Sequence, residues 1–168
     1  MGILKVMIKS EAKRDYLFHC YNYVTGGHTI LDYYGGINIC PDRAVQQMIA
    51  VKRYFGKLSG NQLIHFVVSY DRRVCDADTA MSYTYRIAQY YSDRYQIIFG
   101  MHDTQHFRQS KRVASYYHTH IIMNSVSFVD GKMFADGWSD INDFVSHIRN
   151  VTGDARWRVV YGDKESSV

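Results

Sequence analysis

The segment from Tyr117 to Phe128 reads Tyr-His-Thr-His-Ile-Ile-Met-Asn-Ser-Val-Ser-Phe. It is rich in β-branched and aromatic residues and contains neither glycine nor proline, so it predicts a long strand. Asp130-Gly131 follows at once and signals a hairpin, with Lys132-Met133-Phe134 as the start of a return strand. A strand this long and apolar needs pairing partners and a covered face. It therefore commits the chain to a central sheet.

The remaining segments supply partners and cover. Residues 3–8 (Ile-Leu-Lys-Val-Met-Ile), Gln62–Tyr70, Tyr95–Met101 and Trp157–Tyr161 read as further strands. Ser10 caps a predicted helix over Glu11–Val24, ended by Thr25-Gly26-Gly27. A second helix is expected over Pro41–Tyr54. A third begins at Asp76 or Asp78 and runs to Ser92, and a last one runs from Ser139 or Asp140 to Val151. Residues 28–41 read as irregular, with Gly35-Gly36 as a turn. The expected class is α+β, a mostly antiparallel sheet flanked by helices.

With 168 residues, one Pro and no Gly/Ser tract, the chain reads as a single domain over 1–168. No apolar run reaches the roughly 18–20 residues that span a bilayer, and no secretory leader is visible, so no membrane association is expected. Cys20, Cys40 and Cys75 form neither a disulfide framework nor a zinc clip, which suits a reducing cytoplasm. Twenty basic against sixteen acidic residues leave a net charge of +4, compatible with a polyanionic partner without requiring one.

His118-Thr119-His120 is the sharpest chemical signal. Residues two apart on a strand share a face, about 7 Å apart at the backbone, and two imidazoles so placed can converge on one metal ion. His102 ends the preceding strand-like run and is the natural third ligand, with His106 as an alternative. Three neutral imidazoles leave positions open for substrate oxygens, as in a Lewis-acid site. A histidine pair of this spacing also arises by chance on surfaces. His19, His28, His65 and His147 have no comparable partners and read as structural or surface residues.

Tyrosine is abundant, at fifteen residues. A phenol, with a pKa near 10, needs help from a metal or base to act as a nucleophile. Tyr23 lies in the last turn of the first predicted helix, beside a glycine pair, and is placed to attack a phosphodiester held by an ion. Spacing alone leaves Tyr21 a close rival, and Tyr23 shares a face with Leu17 and Cys20 as a core residue would. Basic and aromatic residues mix in Lys52-Arg53-Tyr54-Phe55-Gly56-Lys57 and from Arg108 through Lys111-Arg112 to Tyr117. Such mixtures suit a nucleic-acid strand, though a solvated helix face explains the first equally well.

Taken in order, Tyr23-Val24-Thr25, Gly36-Ile37-Asn38-Ile39-Cys40, Arg43-Ala44-Val45, Lys52 to Lys57, His65-Phe66-Val67-Val68-Ser69-Tyr70, Gly100-Met101-His102-Asp103-Thr104 and His118-Thr119-His120-Ile121-Ile122-Met123-Asn124-Ser125-Val126 resemble a relaxase domain. The resemblance is to mobilisation relaxases of the P class, VirD2-like, close to those of Gram-positive conjugative transposons and plasmids, within the HUH endonuclease superfamily. It implies an N-terminal domain from a longer chain. The implied activity is nicking of one strand at an origin of transfer by tyrosine transesterification. The products are a 5′-phosphotyrosyl adduct and a free 3′-hydroxyl, and the strand is rejoined after transfer.

By resemblance, Tyr23 is the nucleophile and His102, His118 and His120 hold the metal. An all-imidazole set favours Mn²⁺ or another transition ion, with Mg²⁺ as the physiological alternative, and Asp103 is placed to orient His102 or His118 from outside the ligand set. The charge pattern makes Lys52, Arg53, Lys57, Arg108, Lys111 and Arg112 the expected DNA contacts. Implied partners are hairpin or single-stranded origin DNA, a type IV secretion coupling protein and an accessory DNA-binding protein. The implied location is the bacterial cytoplasm, then the recipient cell. The chain departs from the family in a long insertion between Asp103 and His118, expected as a DNA-contacting arm. It also lacks the family's Glu after Ser69-Tyr70, for which Asp71 or Asp76 can substitute, and it has Thr119 between the paired histidines. A rolling-circle replication initiator is the nearest rival, although those usually place the tyrosine after the histidine pair. A non-catalytic single-stranded nucleic-acid-binding domain is the other.

Overall fold

A computed structural model describes residues 1–7, 14–27, 29–74, 76–103, 117–135 and 137–162. Its elements in chain order are β1 (Gly2–Met7), α1 (Arg14–Thr25), β2 (Thr29–Ile37), α2 (Ala44–Tyr54), β3 (Leu63–Ser69), α3 (Ala77–Ala88), β4 (Ile97–Asp103), β5 (Tyr117–Asn124), α4 (Trp138–Thr152) and β6 (Trp157–Tyr161). Short 3₁₀ turns precede α2 and follow α3. The six strands form one sheet in the order β2-β4-β5-β3-β1-β6. Every pairing is antiparallel except that of β1 with β6. No helix among the described residues is long and apolar enough to cross a membrane.

Strand alternation divides the interior in two. Odd-numbered positions of β5 (Tyr117, Ile121, Met123) join Phe66, Val68, Phe99 and Met101 under α3 and α4, against Ile87, Phe144 and Ile148. The even-numbered Ile122 packs with Leu63 and Ile98 against Leu17, Cys20 and Val24 of α1 and Ala44 and Met48 of α2. Thr119 points into the first layer, fully buried, where its hydroxyl meets that of Thr84 at 2.8 Å, which in turn meets Tyr70 Oη at 2.8 Å. The residue between the two histidines therefore faces away from them, as alternation requires.

The sequence reading holds for most elements. Asp76 caps α3 by accepting from the Thr79 amide at 2.8 Å. Two segments differ. Residues 29–37, expected to be irregular, form the edge strand β2, with a register break between Thr29 and Tyr34 and with Asp32 at φ +69°. Gly35 is not a turn residue there: a Cβ would lie 2.9 Å from the Phe99 ring, so its absence lets the edge strand sit close over that ring. Beyond Asn124 the expected strand pair is reduced to a single bridge, Val126 to Met133. The turn itself is present, with Gly131 at φ +69° and its amide donating to Ser127 O at 3.0 Å. Ser10 lies outside the described residues.

Lys52 was expected on a DNA-binding surface and is instead fully buried. Its Nζ donates to Asn124 Oδ1 at 2.6 Å and Ser125 Oγ at 2.8 Å, tying α2 to the end of β5. A side chain held there has no access to a DNA backbone. Burial lowers its pKa from 10.5 to about 7. The unfolded chain therefore holds more protons than the native one between these values, and stability increases with pH across that window. Lys52→Met is expected to flatten this part of the stability profile, measured by denaturant unfolding from pH 7 to 10.

One contact fixes where α1 sits. A Cβ on Gly100 would lie 2.0 Å from the Val24 carbonyl oxygen, so the last turn of α1 rests directly on the backbone of β4. The same carbonyl accepts from Thr29 Oγ1 at 2.6 Å, and the Thr29 amide donates to Gly26 O at 2.9 Å. Gly100→Ala is expected to lift this turn, destabilising the fold by about 1–3 kcal/mol, measured by thermal and denaturant melts.

Candidate metal centre and nucleophile

Antiparallel pairing sets His102 of β4 directly opposite His118 of β5, with His120 two residues further along the same face. The ring centroids of His102 lie 4.5 Å from His120 and 5.3 Å from His118, and the latter two are 5.2 Å apart. One ring nitrogen from each falls within 4.8 Å of the others. Small ring rotations bring such a set onto one ion at bond lengths of about 2.1 Å. Among the described residues no carboxylate joins this cluster.

His102 and His120 are 3% and 5% exposed. Burial pulls the His118 pKa down to about 4, with the Asp103 carboxylate pulling the other way. Burial likewise takes His120 well below its ordinary value, reinforced by His65, His118, His102 and Lys5. His118 and His120 are therefore held neutral at physiological pH, the state in which imidazole binds a metal. The Nε2 atom of His120 is buried and has no hydrogen-bond partner among the described residues. A buried polar atom left open, in a nest of neutral imidazoles, fits a divalent ion.

Tyr23 stands at the rim of this nest. Its ring is edge-on to His102 at 5.1 Å and to His120 at 4.9 Å, and the residue remains 43% exposed. Tyr21 turns into the packing around Leu17 and Cys20 instead. The seat of α1 on Gly100 thus brings one tyrosine of that helix to the imidazoles and leaves its neighbour against the core.

The residues 21–155 match the nuclease-domain model of the MobA/VirD2-like relaxases. The chain belongs to the relaxase family. A search of curated proteins gives no match. Relaxases are DNA-nicking proteins, and the sheet flanked by helices agrees with their HUH fold. The three-histidine cluster fits the divalent metal the family uses.

Other expected site residues fall differently. Asp103 ends β4 opposite Tyr117, close enough to His118 to act on its charge. Arg53 and Lys57 are exposed. Arg108, Lys111, Arg112 and the alternative ligand His106 lie outside the described residues. Neither acid suggested in place of the missing Glu is spare. Asp76 is the α3 cap, and Asp71 accepts from Arg73 and from the N-terminal ammonium.

Two contributors escaped the sequence reading. His65, expected to be structural or on the surface, is buried with Nε2 2.8 Å from His120 Nδ1. Lys5 lies in the cross-strand row Lys5–Val67–His120–Gly100, two strands from His120 on the same face. The next row runs Arg158–Ile3–Ser69–His118–His102–Thr29. Only register, which a single sequence does not carry, brings these residues into line. His120→Ala is expected to abolish high-affinity Mn²⁺ binding with the fold intact, measured by calorimetric titration and circular dichroism.

Proposed function

We propose that this relaxase domain cuts one strand of origin-of-transfer DNA by transesterification, with Tyr23 as nucleophile. The observation that carries the reading is the Tyr23 ring at 5.1 and 4.9 Å from two of the three clustered imidazoles, on a helix end that stays exposed. His102, His118 and His120 would hold the ion. When bound, it supplies Lewis-acid charge to nonbridging phosphate oxygens; imidazole ligands favour Mn²⁺ or a later transition ion, with Mg²⁺ as the abundant alternative.

The chain's own residues do the rest. The Tyr23 phenolic oxygen attacks phosphorus in line, its proton passes to solvent or a nearby base, and the bond to the 3′-oxygen breaks. That oxygen leaves and takes up a proton as a 3′-hydroxyl, while the 5′-phosphate stays esterified to tyrosine. One phosphodiester replaces another, so the step is reversible without ATP and the 3′-hydroxyl can reseal the strand. Asp103 acts on His118 from outside the ligand set, its negative charge lying on the side of the cluster where a cation would be held. Lys5 and Arg158 extend the face toward β1 and β6 and offer cations to the phosphates on either side of the cut, with Arg53 and Lys57 as further contacts. The face suits a single strand, so the origin must be melted or extruded as a hairpin.

By family resemblance the adduct is made in the bacterial cytoplasm. It is then handed, with an accessory DNA-binding protein, to a type IV secretion coupling protein, and the domain is the N-terminal part of a P-class mobilisation protein. Incubation with labelled single-stranded origin DNA and Mn²⁺ is expected to give a denaturation-resistant protein–DNA adduct. Tyr23→Phe is expected to lose it while binding DNA within about threefold of wild type, and Tyr21→Phe to keep it. Adduct formation by Tyr23→Phe would move the nucleophile elsewhere. Its absence in the wild-type protein, with binding retained, would favour a non-catalytic binding domain.

A further inference from the structure

Metal-bound imidazoles usually donate their second ring N–H to a carboxylate or a carbonyl oxygen, which fixes the tautomer and the ring orientation. Here the atom 2.8 Å from His120 Nδ1 is the Nε2 of another histidine, His65. Both rings are almost fully buried, at 2% and 5% exposure, with centroids 5.0 Å apart. His65 reaches this position from β3, where it is paired with Ile122, so it lies diagonally across the strand pair from His120 on the same face.

The bond between two neutral imidazoles has two arrangements. If His65 Nε2–H donates, His120 carries its own proton on Nε2. That N–H would then be buried with no acceptor among the described residues, and no lone pair would face the other two histidines. If His120 Nδ1–H donates to His65 Nε2, the His120 Nε2 keeps an open lone pair. Only the second arrangement lets His120 bind a cation.

We propose that His65 is a positioning residue for the metal site: it accepts the Nδ1 proton of His120 and so holds His120 in the tautomer that turns an open Nε2 toward the ion. The inference rests on the reading of His120 as a metal ligand. It assigns to an imidazole the part that a carboxylate plays elsewhere. An imidazole acceptor leaves the cluster free of added negative charge, so the site keeps the full charge of its cation for the phosphate.

The test uses the domain without DNA and without activity as a readout. Nitrogen-15 spectra of the metal-free wild-type protein are expected to report His120 protonated on Nδ1 and bare on Nε2. Titration with Mn²⁺ is expected to weaken roughly 10- to 100-fold in His65→Leu. In His65→Gln, whose amide oxygen can accept the same proton, it should stay within a few-fold of wild type. Thermal melts of both variants confirm that they fold. A His120 carrying its proton on Nε2 in the wild-type protein would overturn the proposal without any variant. So would wild-type Mn²⁺ affinity in a folded His65→Leu when His120→Ala has lost it. Unaltered Mn²⁺ binding in His120→Ala would remove the metal-ligand reading itself, and this proposal with it.

Discussion

The site depends on how closely one helix can approach one strand. The Val24 carbonyl occupies space that any side chain at residue 100 would claim. Because Gly100 sits directly across from His120, the helix end is fixed relative to the histidine cluster by backbone contact, not by the longer and softer reach of side chains. Thr29 then ties the same carbonyl to the start of β2. Helix, central strand and edge strand meet within one turn of chain, and Tyr23 is one residue from the junction. A tyrosine placed this way keeps its distance from the imidazoles while 43% of it stays exposed.

The strand that carries the ligands serves two environments. One side of β5 feeds the apolar layer under α3 and α4, where Thr119 closes a hydroxyl chain with Thr84 and Tyr70. The other side carries His118 and His120 and then, past the site, Ile122 in the second apolar layer. Burial thus performs two tasks with one element. It holds the sheet together, and it strips water from the imidazoles, keeping them neutral and ready for a cation.

Much of this was readable before any coordinates, because the determining signals are local. The histidine spacing, the Thr25-Gly26-Gly27 stop, the Asp76 cap and the alternation of the strands are short-range patterns. The third histidine of the cluster also emerged, since a neighbouring antiparallel strand was the simplest way to bring His102 to the pair. What stayed hidden depends on registers and packing distances. Gly35 reads as a turn residue until the Phe99 ring beneath it is known. Lys52 reads as a surface cation until its hydrogen bonds to Asn124 and Ser125 are seen. His65 looks unaccompanied in a chain where its partner lies far along the sequence on another strand. A charge pattern says what a residue can do, but only the fold decides whether it meets water.

The parallel pairing of β1 with β6 carries a consequence for how the molecule comes into being. β1 takes the fifth place in the sheet, between β3 and β6, so one of its partners is made long after it. Until β6 emerges, β1 presents a bare row of amides and carbonyls, a surface that invites a wrong neighbour. Long-range closure of this kind slows folding and lengthens that exposure. Lys5, in the middle of β1, is the sort of charged residue that discourages such mispairing. A residue that lies on the same sheet face as the histidine cluster thus also guards the strand before its second partner arrives.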